Sequence, residues 1–292
     1  MPCFRRLPGV ALVAAGVLAG CKSDRPSTEA GTPAAAPAES SKAAPNAVNI
    51  TATDFAFDAP AQIPAGATTF HLANRGKEFH QVQLIKLEDG KSVADLGAAM
   101  KNPGPPPTWM KWVGGPNGVA PGQDANATAV LAPGQYAYVC FIPSPDGTMH
   151  AAKGMARPFE VTAASATTAA DLPAADITIK LTDYGFESSQ PLTPGRHTIM
   201  VENAGPQVHE IVLLKLAPGK KAEDFGKWAM TGMKGAPPAE PLGGVTALEK
   251  GGRGTFEVEL MAGDYGLICF VPDAKDGMPH LAHGMTKNFK VS

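Results

Sequence analysis

The chain has 292 residues, with 25 Lys and Arg against 27 Asp and Glu, so its formal charge is −2. At roughly 100–200 residues per domain that length suggests two domains, and a 44% apolar fraction excludes wholesale disorder. The even charge balance excludes a nucleic-acid binder, which needs a concentrated basic face, and four cysteines are too few for a disulfide scaffold.

Met1 to Gly20 read as an export signal. Arg5 and Arg6 supply a basic start, and Gly9 to Ala19 is a short apolar run closed by small residues. That run falls short of the ~20 apolar residues a membrane-spanning helix needs. The boundary Leu18-Ala19-Gly20-Cys21 resembles the lipobox of bacterial lipoproteins. The resemblance implies removal of residues 1–20 and lipidation of Cys21. It also implies an extracytoplasmic, membrane-anchored protein, with Lys22 behind the cysteine favouring the outer membrane. Residues 21–46, rich in Ala, Pro, Ser and Thr without apolar periodicity, read as a disordered tether. Cys3 leaves with the signal, so the folded body keeps Cys140 and Cys269.

The body is one unit written twice. Thr53-Asp54-Phe55-Ala56-Phe57 matches Thr182-Asp183-Tyr184-Gly185-Phe186, 129 residues later, and the same offset pairs Asn74 with Asn203 and His80 with His209. It pairs Cys140-Phe141 with Cys269-Phe270 as well, before one extra residue enters the second copy. Residues 47–161 and 176–292 are therefore two repeats, joined by an Ala/Thr/Ser linker at 162–175. Their period is two, the strand signal. Phe256, Val258 and Leu260 are expected to face a core, as are Ile177, Ile179 and Leu181. His80, Val82 and Leu84 share one face, with Gln81 and Gln83 on the other. Gly and Pro punctuate the runs, which predicts β-sandwiches. Ser92 to Lys101 and Lys221 to Lys234 are predicted to be short helical insertions.

Each repeat holds one early histidine, then a cysteine, a histidine and a methionine near its end. These are His80, Cys140, His150 and Met155, and again His209, Cys269, His280 and Met285. A thiolate, two imidazoles and a thioether form the soft mixed set that suits copper cycling between Cu(I) and Cu(II). The thiolate and imidazoles would supply the strong bonds and the Met sulfur a weak axial one. A Cys140–Cys269 disulfide is the structural alternative, and Met as core filler is another.

With these residues in view, each repeat resembles a cupredoxin, the fold of type 1 blue-copper proteins. The elements carrying the resemblance are Asn74-x-Gly76-x3-His80 with Cys140…His150-x4-Met155, and Asn203-x-Gly205-x3-His209 with Cys269…His280-x4-Met285. It implies two tandem all-β Greek-key β-sandwiches, one copper in each, and outer-sphere one-electron transfer. The Cys-to-His loops are longer than in small blue-copper proteins. Gln81 and Glu210 stand where many members carry Asn or Ser, which leaves the hydrogen bonding around the thiolate open.

Copper enzymes of two or more such domains carry additional histidines, one of them beside the type 1 cysteine. Val139 and Ile268 occupy that place, and His71, His197 and His283 are too few for a trinuclear cluster. The sequence is therefore read as that of a non-enzyme. His71 and His197 read as solvated or strand-edge residues, and His283 as a surface histidine beside the second site. Trp109 and Trp112, on a proline-rich loop, are expected to pack over their own domain, with a docking surface for a redox partner as the alternative. Met100, Met110, Met230 and Met233 read as gap fillers. The function expected is electron transfer through two copper sites to a redox protein. The alternatives are copper delivery or buffering with a copper donor or acceptor, and an interaction module with vestigial sites.

Overall fold

A computed structural model describes residues 44–101, 106–164, 169 and 171–292. The export signal, Cys21 and most of the tether lie outside the described residues, as do parts of the linker at 162–175.

The first repeat contains β1 (Asn46–Thr53), β2 (Ala56–Asp58), β3 (Gln62–Pro64), β4 (Gly66–Asn74), β5 (Gln83–Leu87), α1 (Val93–Ala99), β6 (Met110–Gly114), β7 (Asp124–Leu131), β8 (Gly134–Val139) and β9 (Ala156–Thr162). The second contains β10 (Ile177–Thr182), β11 (Gly185–Ser188), β12 (Gly195–Asn203), β13 (His209–Leu216), α2 (Ala222–Met230), β14 (Ala239–Leu248), β15 (Arg253–Leu260), β16 (Gly263–Ile268) and β17 (Thr286–Val291). One 3-10 turn follows the Cys loop of each repeat, at His150–Lys153 and His280–His283. The all-β class, a β-sandwich in each repeat and a helix in each are as the sequence predicts.

Alternation explains the strands. Ile177, Ile179 and Leu181 of β10 are buried, and so are Phe256 and Leu260 of β15, with Val258 half-buried. Each repeat closes its own core between two sheet faces. In the first, Ile50, Phe70, Leu72, Leu84, Tyr138 and Phe159 pack together, with Cys140 and Met155 in the same cluster. In the second the corresponding cluster holds Leu181, Val201, Leu213, Phe256 and Tyr265, with Cys269 and Met285. Each such side chain contributes roughly 1.5–3 kcal/mol by leaving water. The helices lie outside these cores. Helix α1 starts at a capping box in which Ser92 and Asp95 satisfy each other's backbone N–H groups, and its Leu96 packs on Ile85 and Val139. Trp109 and Trp112 join that same cluster, so these two side chains pack over their own repeat.

The two repeats share their sheets. One sheet of eight strands runs β11-β10-β12-β15-β7-β4-β1-β2, and one of nine runs β17-β16-β13-β14-β6-β5-β8-β9-β3. Both cross from one repeat to the other where equivalent strands meet antiparallel, β15 on β7 and β14 on β6. The contact is self-complementary. Asn117 N–H donates to the Gly244 carbonyl, and Thr246 N–H donates to the Gly115 carbonyl. Each of these pairs is the other moved by the repeat offset, which is the pattern of a two-fold interface between like subunits.

This junction changes the fate of one predicted face. Gln81 and Gln83, expected opposite the core, are both buried. Gln83 Nε2 donates to the Ala247 carbonyl of the other repeat at 3.0 Å. Strand alternation is intact, but at Gln83 the outward side meets the second repeat instead of water, and at Ile85 and Leu87 it meets the cluster under α1.

Candidate metal centres

The Asn-x-Gly-x3-His motif builds the loop that delivers the first histidine. Asn74 Oδ1 accepts the Gly76 N–H, and its Nδ2 donates to the carbonyls of Glu78 and Val119. Asn203 makes the same three bonds, to Gly205, Gln207 and Leu248. The glycine is required by crowding. A Cβ on Gly76 would sit 2.6 Å from both Asp54 Oδ1 and His80 Nε2, and one on Gly205 would sit 2.7 Å from His209 Nε2.

The other residues come from the chain between β8 and β9, or β16 and β17. Cys140 N–H donates to the Met155 carbonyl, His150 N–H to Ile142, Ala151 N–H to Cys140 and Met155 N–H to His150. The second repeat makes the same four bonds through Cys269, His280, Leu281 and Met285. Its extra residue is therefore absorbed in the outer loop, leaving the backbone around Cys, His and Met unchanged.

The structure brings His80, Cys140 and His150 together, and separately His209, Cys269 and His280, with every side chain fully enclosed. His80 Nδ1 lies 3.1 Å from His150 Nδ1, and Cys140 Sγ lies 3.4 Å from His150 Nδ1 and 4.0 Å from His80 Nδ1. A point about 2.1 Å from all three atoms exists inside that triangle, the length of an ordinary bond from imidazole nitrogen to a transition metal. In the second repeat the two Nδ1 atoms are 2.9 Å apart, with Cys269 Sγ 3.5 Å from His280 Nδ1. Met155 and Met285 are fully buried in the same clusters as the cysteines. Both cysteines are free thiols, each inside its own core, so the disulfide alternative does not hold.

Burial pushes the Cys140 thiol up to about 12, against two backbone N–H groups, of Gln81 and Ile142, that point at its sulfur. Cys269 is likewise raised by burial, with the N–H groups of Glu210 and Val271 on its sulfur. The hydrogen bonding to sulfur thus comes from backbone at Gln81 and Glu210, whatever their side chains. Burial also holds His80 below its ordinary range and His280 down at about 4, each assisted by the neighbouring histidine. Two imidazole nitrogens and a shielded sulfur form a donor set for a soft cation, and a bound metal would supply the charge that ionises the thiol.

The outer nitrogens of the four histidines face carboxylates. His150 Nε2 is 2.8 Å from Glu78, His209 Nε2 is 2.6 Å from Asp183, His80 Nε2 is 3.5 Å from Asp54 and His280 Nε2 is 3.7 Å from Asp273. Hydrogen bonds from Tyr184, Gln207 and the Lys275 N–H hold the Asp273 carboxyl far below the usual range. Asp54 is lowered chiefly by the Lys77 N–H. These four acids were not singled out in the sequence. The signal was present in part, because Asp54 and Asp183 belong to the Thr-Asp-aromatic match that marks the repeat.

Glu210, next to His209 and already marked in the sequence, has surroundings that the sequence did not show. It is fully buried, and burial raises its pKa. One oxygen accepts the Phe270 N–H at 3.0 Å, and the other accepts Asn117 Nδ2 of the first repeat at 3.1 Å.

The spare histidines behave differently from one another. His71 is exposed. His197 is instead buried, with Nδ1 2.5 Å from Asp176 and Nε2 2.7 Å from the Thr193 carbonyl, so it is a strand-holding residue and not a solvated one. His283 is exposed and pairs with Asp276 at 3.2 Å, where the first repeat has Lys153 with Asp146 at 3.0 Å.

No protein-family model and no curated protein matches the chain. Solved structures do. It is 19% identical to auracyanin A, described as a blue copper protein of Chloroflexus aurantiacus, over 40% of this chain and 99% of that one, with a TM-score of 0.30. It is 15% identical to a blue copper oxidase of Nitrosomonas europaea, over 85% of each chain, with a TM-score of 0.25. It is 12% identical to a copper-containing nitrite reductase of Thermus scotoductus, over 85% of this chain and 62% of that one, at 0.23. The latter two correct the sequence reading of a non-enzyme, since the structures similar over most of the chain are titled as enzymes. The spare-histidine count addressed only a trinuclear cluster, too narrow a test to exclude catalysis. Likenesses at these TM-scores assign no reaction to this chain.

Proposed function

We propose that this protein binds copper in each repeat and carries single electrons, with His80, Cys140, His150 and Met155 as one ligand set and His209, Cys269, His280 and Met285 as the other. The observation that carries the reading is the arrangement of two imidazole nitrogens and one thiol sulfur around a common point, fully enclosed and built twice. Copper supplies one-electron chemistry between Cu(I) and Cu(II) in such a thiolate–imidazole set. The chain supplies the rest. Burial excludes water, the paired backbone bonds fix the chain at Cys, His and Met, and the N–H groups on sulfur favour the thiolate. A cage fixed by its own backbone bonds has little to rearrange when its charge changes, which suits electron transfer better than exchange of the ion. Delivery or buffering, with rapid ion release, is the competing outcome. In this reading the partner is a redox protein, and lipidation at Cys21 tethers the body outside the cytoplasm.

The test is a Cu(II) titration of the reduced body, residues 44–292. An intense thiolate-to-metal absorption band is expected to saturate at two equivalents, with Cys140→Ser and Cys269→Ser each removing half of it. Reversible voltammetry then distinguishes a carrier from a buffer. Absence of any band with both thiols reduced would overturn the proposal.

A further inference from the structure

The two repeats differ at the carboxylates behind their histidines, and the difference is compensated. The acid behind the first histidine keeps its place, as Asp54 and Asp183. The acid behind the second does not. In the first repeat it is Glu78, whose counterpart in the second is Gln207. In the second repeat it is Asp273, whose counterpart in the first is Ser144. Glutamate has become amide at one position while serine has become aspartate at the other, so each centre retains one carboxylate per imidazole. Gln207, no longer an acid, donates its amide to Asp273 at 2.9 Å. Ser144 Oγ, at the place where the second repeat has its acid, is buried without a hydrogen-bond partner. Gly76 and Gly205 leave the space in which the kept acids approach the first histidines.

We propose that Asp54, Glu78, Asp183 and Asp273 are the positioning residues of both centres. Glu78 and Asp183, at hydrogen-bond distance, hold the ring proton of their histidines on Nε2 and so turn the Nδ1 lone pair inward. Asp54 and Asp273, at 3.5 Å and 3.7 Å from nitrogens that have no hydrogen-bond partner, favour the same tautomer through charge alone. Together they place two negative charges behind each centre, favouring the more highly charged ion. A carboxylate partner on the outer nitrogen orients an imidazole and raises its basicity. Without these acids the two Nδ1 lone pairs, 3.1 Å and 2.9 Å apart, would be relieved by moving a proton inward to bridge them. The proposal rests on the centres being metal sites, but its first test needs no metal.

That test is the ring-nitrogen NMR of the metal-free full chain at a pH where all imidazoles are neutral. All four ligand histidines are expected as the Nε2–H tautomer. Glu78→Ala should shift His150 towards a mixture, and Glu78→Ala with Ser144→Asp, which transplants the second repeat's arrangement, should restore it. The second readout uses Cu(II) and Cu(I) on Cys269→Ser chains, leaving only the first centre complete. Glu78→Ala should weaken Cu(II) about 10-fold more than Cu(I), and the double variant should recover that loss. Asp54→Asn, which keeps shape but not charge, should lower the same ratio in a folded chain. An unchanged His150 tautomer in Glu78→Ala, or no recovery on adding Ser144→Asp, would overturn the proposal. Correct tautomers in a chain that binds no copper would instead sink the copper reading and leave the positioning role standing.

Discussion

Asn117 shows how much a single amide can carry. Its Nδ2 reaches Glu210, the Ile211 carbonyl and the Val245 carbonyl, all in the other repeat, while its Oδ1 accepts the Gly118 N–H. Glu210 in turn holds the Phe270 N–H beside Cys269. Removing the amide leaves a buried acid and two carbonyls short of a donor. Asn117→Ala is therefore expected to cost about 1–3 kcal/mol, seen as a lower urea midpoint with an unchanged slope. A midpoint equal to that of the parent would mean that water replaces the side chain. The effect is also directional. Asn117 lies in the first repeat, so any loosening it causes should appear at the second centre, through Glu210, in the band assigned by Cys269→Ser.

Among the elements, the bends beside β6 and in β14 decide whether the sheets can join. Gly115 and Gly244 occupy equivalent positions with φ of 131° and 124°. A side chain on either would run into a backbone carbonyl, that of Val82 just before β5 or that of Ile211 in β13. Gly244→Ala is expected to destabilise by roughly 2–4 kcal/mol, combining strain at positive φ with the displaced strand. Gly97 is the control, since it lies on exposed α1 with nothing near a would-be Cβ. Gly97→Ala should stabilise by about 0.5–1 kcal/mol, the ordinary helical gain. Thermal melts of the two variants moving in the same direction would contradict this account. The helices themselves were legible as the stretches Ser92 to Lys101 and Lys221 to Lys234, and in the structure Ser92 with Asp95, and the Lys221 N–H with Asp224, fix where they start. Their exact ends were not, since frayed turns leave little pattern.

At the level of the molecule, the repeats are expected to unfold together. Residues 42–292 form one compact unit, and both sheets run through it without a break. Separating the repeats would expose the edges of β6, β7, β14 and β15 and strip Gln83, Thr246 and Asn117 of their partners. Calorimetry should show one transition whose van't Hoff and calorimetric enthalpies agree. Two resolved transitions, or a stable monomeric first repeat, would show that the shared sheets add little.

Duplication, strand period and the order His, Cys, His, Met are local facts of the chain, and each could be read from a window of a few residues or from a fixed offset. They were enough for the fold class, for the two sets of candidate ligands and for the helices between them. The acids behind the histidines were harder to see. Asp54 is 26 residues before His80, Asp273 is 7 before His280, and nothing in their spacing distinguishes them from surface carboxylates. The burial of Gln83 and Glu210 was beyond the sequence altogether, because a polar residue on a strand's outward face looks the same whether water or another sheet covers it. Only packing one repeat against the other decides which, and that contact depends on register between strands 129 residues apart, which no local pattern records.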